Sequence, residues 1–253
     1  MEKRPLILVS NDDGIEAIGV HELVDCLLKF GDVVCVCPDG PRSGQSMAIS
    51  VNTPLRIERL DDWHGAEMYK VNGTPVDCIK ISMHTILGRR PDLVVSGINH
   101  GSNAAINVVY SGTMGAAFEG CACGVPSIGF SLTTHNPKAD FSGCFPFVDK
   151  IVGSVLKNGL PEGVCLNVNI PASNPAPTEM RITKACKGRW TDEYQEYTDP
   201  NGRKFYWLTG KFKNEEPDNE DTDEWCLTHG IVSVVATALD RTDPCDITFL
   251  TEG

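Results

Sequence analysis

The residues best suited to chemistry come early in the chain. Asn11-Asp12-Asp13-Gly14 directly follows the apolar run Leu6-Ile7-Leu8-Val9 and Ser10. A short unbroken apolar run is the pattern of a strand buried on both faces of a parallel sheet. The carboxyl ends of such strands are where open α/β sheets present ligands. Two adjacent carboxylates repel and raise one another's pKa unless a cation sits between them. A hard divalent ion, Mg²⁺ or Mn²⁺, suits such oxygen ligands. On this motif alone, a solvated turn and helix N-cap accounts for Asp12 and Asp13 equally well. Gly14 permits the sharp turn, since glycine tolerates a positive φ.

Two further loops have the same character. Pro38 to Ser46 leaves the buried run Val33–Cys37, so Ser43 can face the same crevice as the aspartates. Gly97 to Asn103 leaves Leu93–Ser96 and brings Asn99. Tyr110 to Ala117 reads as a helix entered through small hydroxyl residues. Ser111 and Thr113, with the N–H groups around Gly112, would suit a phosphate at a helix N-terminus, although an ordinary Ser/Thr cap is the plainer alternative. Together, Asp12, Asp13, Ser43 and Asn99 offer two carboxylates, a hydroxyl and an amide oxygen. That hard set fits octahedral Mg²⁺ or Mn²⁺ with open positions better than a closed zinc site. With anion donors at Ser111–Thr113, metal-assisted attack of water on a phosphate ester is the economical reading. One of the two aspartates would serve as general base.

These loops need a scaffold. Ile18, Val20, Leu23, Val24, Leu27 and Leu28 mark one helix face at the 3.6-residue period, and strand–helix–strand in this order is a βαβ unit. Residues 49–60 and 67–72 read as strands of an antiparallel extension. Thr74, Pro75 and Asp77 fall at N-cap, N1 and N3 of a helix whose buried face is Val76, Ile79, Met83 and Ile86. Val125–Leu132 and Val164–Ile170 read as strands, with a helix on Phe147, Ile151, Val152 and Val155 between them. A regular α/β layer thus spans 1–171 of a single domain, 1–253. In 172–253 the texture changes. Asn201-Gly202 marks a hairpin with Trp190, Tyr194, Tyr197, Phe205, Tyr206 and Trp207 on its arms. That aromatic surface suits a subunit contact, in a dimer or a dimer of dimers, with stacking on a nucleobase as the alternative. The acidic run 214–224 reads as a solvated loop before a last strand, Gly230–Ala236.

The bulk numbers exclude several classes. Apolar residues make up 41% and charged residues 22% of the 253, the balance of a soluble globular protein. No apolar stretch reaches the ~18 residues of a membrane span, and none near the start is long enough for a secretory signal. Nothing points outside the cytoplasm. The eleven cysteines are odd in number, lack a C-x-x-C, and sit in apolar segments, including Cys26, Cys35, Cys37, Cys78, Cys121, Cys123, Cys165 and Cys226. They read as buried free thiols in a reducing compartment. A net charge of −12 argues against binding long nucleic acid.

The strings LVSNDDGI, PDGPRSGQS, NGTPVDC, PDLVVSGINHGSN, VYSGTMGAAFEG, LNVNIP and GIVSVVATAL, in that order from residue 6 to about 240, resemble the SurE (stationary-phase survival) family of nucleotidases. The resemblance implies a three-layer, Rossmann-like (doubly wound) α/β fold with a mostly parallel sheet, a protruding β-hairpin and a swapped C-terminal arm. It implies release of phosphate from nucleoside 5′- and 3′-monophosphates with one divalent metal ion per subunit. It makes Asp12, Asp13, Ser43 and Asn99 the metal ligands and Ser111, Gly112 and Thr113 the phosphate holders, with Gly44 and Asn103 lining the site. The chain departs from the family at Ile18, where proline is common, at Ile106-Asn107-Val108, often acidic, and at Asp240-Arg241-Thr242 after the last strand. A dinucleotide-binding dehydrogenase would need a G-x-G-x-x-G after the first strand, which is absent. A haloacid-dehalogenase-type phosphatase would need aspartates two apart. A non-catalytic nucleotide sensor, a broader acid phosphatase and an exopolyphosphatase remain alternatives on the same fold.

Overall fold

The first strand decides the layering. In the computed structural model, which describes residues 3–242, Leu6–Ser10 (β1) is wholly buried. Ile7 and Val9 pack into one apolar cluster, Leu6 and Leu8 into another, as the two-residue period of a strand requires. Each face therefore needs a helical cover. Ile18–Leu27 (α1) follows β1 and leads to Asp32–Pro38 (β2), Ile57–Arg59 (β3) and Glu67–Val71 (β4). Pro75–Ile81 (α2), continued by one wider turn over Ser82–Ile86, precedes Leu93–His100 (β5). A 3₁₀ turn at Ala105–Val109 leads into Gly112–Ala122 (α3), Ser127–Leu132 (β6), Phe145–Asn158 (α4) and Val164–Ile170 (β7). The remainder is Met180–Thr183 (β8), Gly188–Thr191 (β9), Tyr194–Thr198 (β10), Lys204–Leu208 (β11), Lys211–Asn214 (β12), Asp223–Thr228 (α5) and Val232–Ala238 (β13).

Nine strands form one sheet in the order β3-β4-β2-β1-β5-β6-β7-β13-β8. Only β3 against β4 and β13 against β7 run antiparallel. Val20, Leu23, Val24 and Leu27 of α1 and Val148, Ile151, Val152 and Val155 of α4 cover one face. Cys78 and Ile79 of α2 cover the other, with Ala116 of α3. The result is the expected three-layer, mostly parallel architecture. None of its described helices is long and apolar enough to cross a membrane.

Local sequence explains much of this. Thr74 accepts from the Asp77 N–H at 3.1 Å while Asp77 accepts from the Thr74 N–H at 2.9 Å, a complete capping box with Pro75 at the first helical position. Other expectations need adjustment. Ile18, expected on the buried face of α1, is half exposed because it sits at the helix start, before the buried stripe begins at Gly19 and Val20. Only Ile57–Arg59 of 49–60 pairs, as an exposed edge against β4. The sheet also runs past residue 171, since β13 and then β8 extend it beyond β7. The acidic run does not stay in solvent: Thr222 and Asp223 are fully buried where the run enters α5. Burial outweighs the run's polarity there because Asp223 accepts the backbone N–H groups of Ala105, Cys186 and Glu224 at 2.7–2.8 Å. Of the cysteines expected inside, Cys123 is exposed, being the residue that ends α3.

The hairpin around Asn201-Gly202 is present, with Tyr194–Thr198 paired to Lys204–Leu208 and every residue of both strands exposed. It has a root. β9 and β12 continue the same register, pairing Trp190 with Phe212, beyond a break where Asp192 and Gly210 take positive φ. The expected swapped C-terminal arm, past residue 242, lies outside the described residues.

Candidate active site

The acidic turn is built before anything binds to it. The Asn11 side chain closes it, donating to the Gly14 carbonyl at 2.9 Å and accepting the Gly14 N–H at 3.2 Å. Gly14 has φ +99°, and the Asp12 carbonyl takes the Arg42 N–H at 2.7 Å, which ties the loop after β2 to the turn. Asp12 is 5% exposed and Asp13 half-buried. Thr113 donates its hydroxyl to Asp12 Oδ1, and the start of α3 lies so close that a Cβ on Gly112 would fall 2.8 Å from that of Asp12. Asp13 Oδ2 accepts the His100 N–H at 3.1 Å, which joins β1 to the end of β5.

Asp12 carries the electrostatic signature of the site. Burial pushes its carboxyl up to about 6, and the neighbouring Asp13 adds to that, against the opposing Thr113 hydroxyl and Gly112 N–H. A buried carboxylate beside a second one is a place short of positive charge.

The third loop comes in as part of its strand. β5 does not end at Ser96 but runs to His100, with a register shift against β6 between Ser96 and Asn99. Asn99 Nδ2 donates to the Gly101 carbonyl at 2.9 Å, which leaves its Oδ1 as an acceptor. Asn103 is held from beneath: its N–H goes to Asn169 Oδ1 and its Nδ2 to Ser131 Oγ, both at 2.8 Å. Asn169 Nδ2 reaches Asn167 Oδ1, and Asn167 Nδ2 returns to the Asn103 carbonyl at 2.8 Å. This closed ring of buried amides fixes the loop.

Asp12, Ser43, Gly44, Asn99, Asn103 and Ser111 line one cavity of about 480 Å³, together with His100, Asn107, Tyr110, His135 and Trp190. Asp13 stands beside it through His100. Ser111 is the N-cap of α3, its Oγ accepting the Met114 N–H at 3.0 Å, so the ordinary cap is realised at a residue that also lines the cavity. Gly112 and Thr113 lie buried behind Asp12, with the Thr113 hydroxyl committed to it. A hollow of about 490 Å³ near the ends of β6 and β7 has Asp140 and Lys138 in its lining but no pair of adjacent carboxylates.

The donor set accommodates a hard cation. Among the described residues no group of three or more His, Cys, Asp and Glu side chains could hold a metal ion, so one bound here would rely on two carboxylates and neutral oxygens. Soft ligands do not compete, since no cysteine lines this cavity.

The sequence grouped Trp190 with the hairpin aromatics, read as a subunit contact with nucleobase stacking as the alternative, and did not single it out as a lining residue. Counting residues outward from the Asn201-Gly202 turn would have separated it, since it lies four positions before Tyr194, the first residue of the paired tip. Asn107 was legible only as a departure from an acidic stretch. His135 gave no signal.

A family model described as survival protein SurE matches residues 7–192. A 5′-nucleotidase SurE of Phocaeicola vulgatus is 46% identical over 241 residues, 95% of this chain and 93% of that protein. One from Bacteroides fragilis is 49% identical over 240 residues, 95% and 94% respectively. The crystal structure of the SurE protein of Aquifex aeolicus has a TM-score of 0.84 and 34% identity, covering 98% of this chain and all of that one.

Proposed function

The chain belongs to the SurE survival-protein family, and on that premise we propose that it is a 5′-nucleotidase whose turnover depends on a divalent metal ion and extends to nucleoside 3′-monophosphates. The observation that supports this most is the buried Asp12 carboxylate, raised to about 6 beside Asp13 at the head of α3. Asp12, Asp13, Ser43 and Asn99 would hold Mg²⁺ or Mn²⁺. When bound, such an ion neutralises phosphate charge and orients a water.

The rest falls to the protein. Ser111, which lines the cavity, and the positive end of α3 behind it would favour a phosphate there. Thr113 holds Asp12 in one orientation. One of the two aspartates would take a proton from the attacking water as general base. His100 keeps Asp13 in position through its backbone N–H. The net charge of −12 and the absence of a basic stripe favour mononucleotides over long nucleic acids as substrates. The exposed tip aromatics of β10 and β11 support assembly into a dimer or a dimer of dimers, and the free thiols support residence in the cytoplasm.

Phosphate release from 5′- and 3′-mononucleotides, measured with Mg²⁺, with Mn²⁺ and in excess EDTA, tests the reading. Turnover should appear with metal and vanish in chelator. Binding of nucleotide without hydrolysis under all three conditions would make the protein a sensor instead.

A further inference from the structure

Trp190 stands apart from the other aromatic side chains of its hairpin. Tyr194, Tyr206 and Trp207 on the tip are 59–68% exposed. Trp190, at the root, is half-buried and lines the same cavity as Asp12, Ser43 and Ser111. Its ring is fixed from two sides. Phe212, its partner across β9 and β12, meets it edge-on with ring centres 6.1 Å apart, and its indole N–H donates to Asn107 Oδ1 at 2.8 Å.

That hydrogen bond also orients Asn107. An indole N–H can only donate, so the Asn107 amide must turn its oxygen toward Trp190. Its NH₂ group makes no hydrogen bond to any described residue and remains a donor. The remaining lining includes five small polar residues, Ser43, Asn99, Ser102, Asn103 and Ser111, beside Asp12 and the rings of His100, Tyr110 and His135. The cavity thus pairs a polar, carboxylate-bearing wall with a fixed aromatic plate. Its volume of about 480 Å³ lies within the ~300–1,000 Å³ range of small-molecule sites.

We propose that Trp190 is the plate on which the substrate's nucleobase stacks and that the Asn107 NH₂ donates to an acceptor on that base. Asn107 and Trp190 then act as specificity residues, selecting phosphate esters that carry an aromatic base over those that do not. The proposal rests on the nucleotidase reading above and deepens it. A base has π-faces and ring acceptors where a bare sugar phosphate has only hydroxyls, so the two contacts distinguish the classes by chemistry that the phosphate end cannot sense.

Hydrolysis of adenosine 5′-monophosphate and of ribose 5-phosphate should be compared in the parent protein and in Trp190→Ala, Trp190→Phe and Asn107→Ala. Trp190→Ala should lower kcat/KM for the nucleotide by about 5- to 150-fold, chiefly through KM, and move ribose 5-phosphate by less than about threefold. Trp190→Phe, which keeps a ring, should retain most of the nucleotide activity. Asn107→Ala should cost the nucleotide roughly two- to tenfold and leave the sugar phosphate in place. Equal losses on both substrates would show a merely structural role and overturn the proposal, as would unchanged nucleotide kinetics in Trp190→Ala. Should Trp190→Ala not fold, the other two variants decide on the same comparison. A parent protein that hydrolyses neither compound defeats the nucleotidase reading itself. One that hydrolyses ribose 5-phosphate as well as the nucleotide defeats only the base plate.

Discussion

Replacing Asp12 with Asn should stabilise the chelated protein while disabling the enzyme. The folded structure lifts this carboxyl from 3.8 to about 6, chiefly by burial. At ~1.36 kcal/mol per pKa unit, holding the charged form costs about 3 kcal/mol. The sign follows from the direction: a raised folded-state pKa on an acid is destabilising wherever the group is ionised. The cost is fully present above about pH 6 and disappears as pH falls toward 3.8. Asparagine keeps the shape, carries no charge, and can still accept the Thr113 hydroxyl. It loses one acceptor for backbone N–H groups, which offsets about 1 kcal/mol. A net gain of about 2 kcal/mol at pH 8 corresponds to a Tm increase of roughly 4–8 °C for a chain of this size. Thermal unfolding in EDTA at pH 5, 6, 7 and 8 measures it for both proteins. The gap should be widest at pH 7–8 and close toward pH 5. With Mn²⁺ in excess the order should reverse, because the parent gains the binding energy of the ion and the variant does not. Turnover should fall by roughly a hundredfold or more. A gain that is absent at pH 8, or equal at pH 5 and pH 8, would refute the reasoning.

Three further outcomes are expected. Thr113→Val removes the hydroxyl that favours the charged form of Asp12, so in the chelated protein the Asp12 carboxyl should titrate higher than in the parent, read by NMR of its carboxyl carbon against pH. Asp223→Ala leaves two buried N–H groups and one part-buried one without their acceptor and should cost about 3 kcal/mol, seen as a lower urea midpoint at unchanged slope. Replacing the tip, residues 194–208, by a short Gly-Ser turn should shift the protein toward monomer in analytical ultracentrifugation while Trp190 and the cavity remain. Sedimentation identical to the parent would place the interface elsewhere.

What could be read in advance follows the range of the physics involved. The capping box of Thr74 and Asp77 is local, three residues wide, and was legible. So were the buried strands, because a short apolar run has few other uses, and so was the hairpin, since Asn-Gly dictates its turn. The grouping of the three loops followed from parallel strands presenting their ends on one edge. The remainder depended on partners far away in sequence. Asp223 looked like one more charge in an acidic run, and its burial rests on N–H groups that include those of Ala105, 118 residues earlier, and Cys186. Trp190 looked like its aromatic neighbours until the register showed that it lies at the root. β8 carries four residues and no strong apolar pattern, and its pairing comes from β13.

That last pairing bears on how the chain is made. Among the described strands β8 meets only β13, and Thr183 touches Ser233 across 50 residues of sequence. At a synthesis rate of ~5–20 residues per second, β8 waits about 3–10 s for its neighbour. Over that interval the nascent layer from β1 to β7 exposes the flank of β7, a row of unpaired N–H and C=O groups next to apolar side chains. An open flank of that kind is a template for another chain. Nascent protein therefore passes through a sticky stage that ends only when residues 232–238 arrive, and truncations before Val232 should aggregate even though both aspartates are already in place.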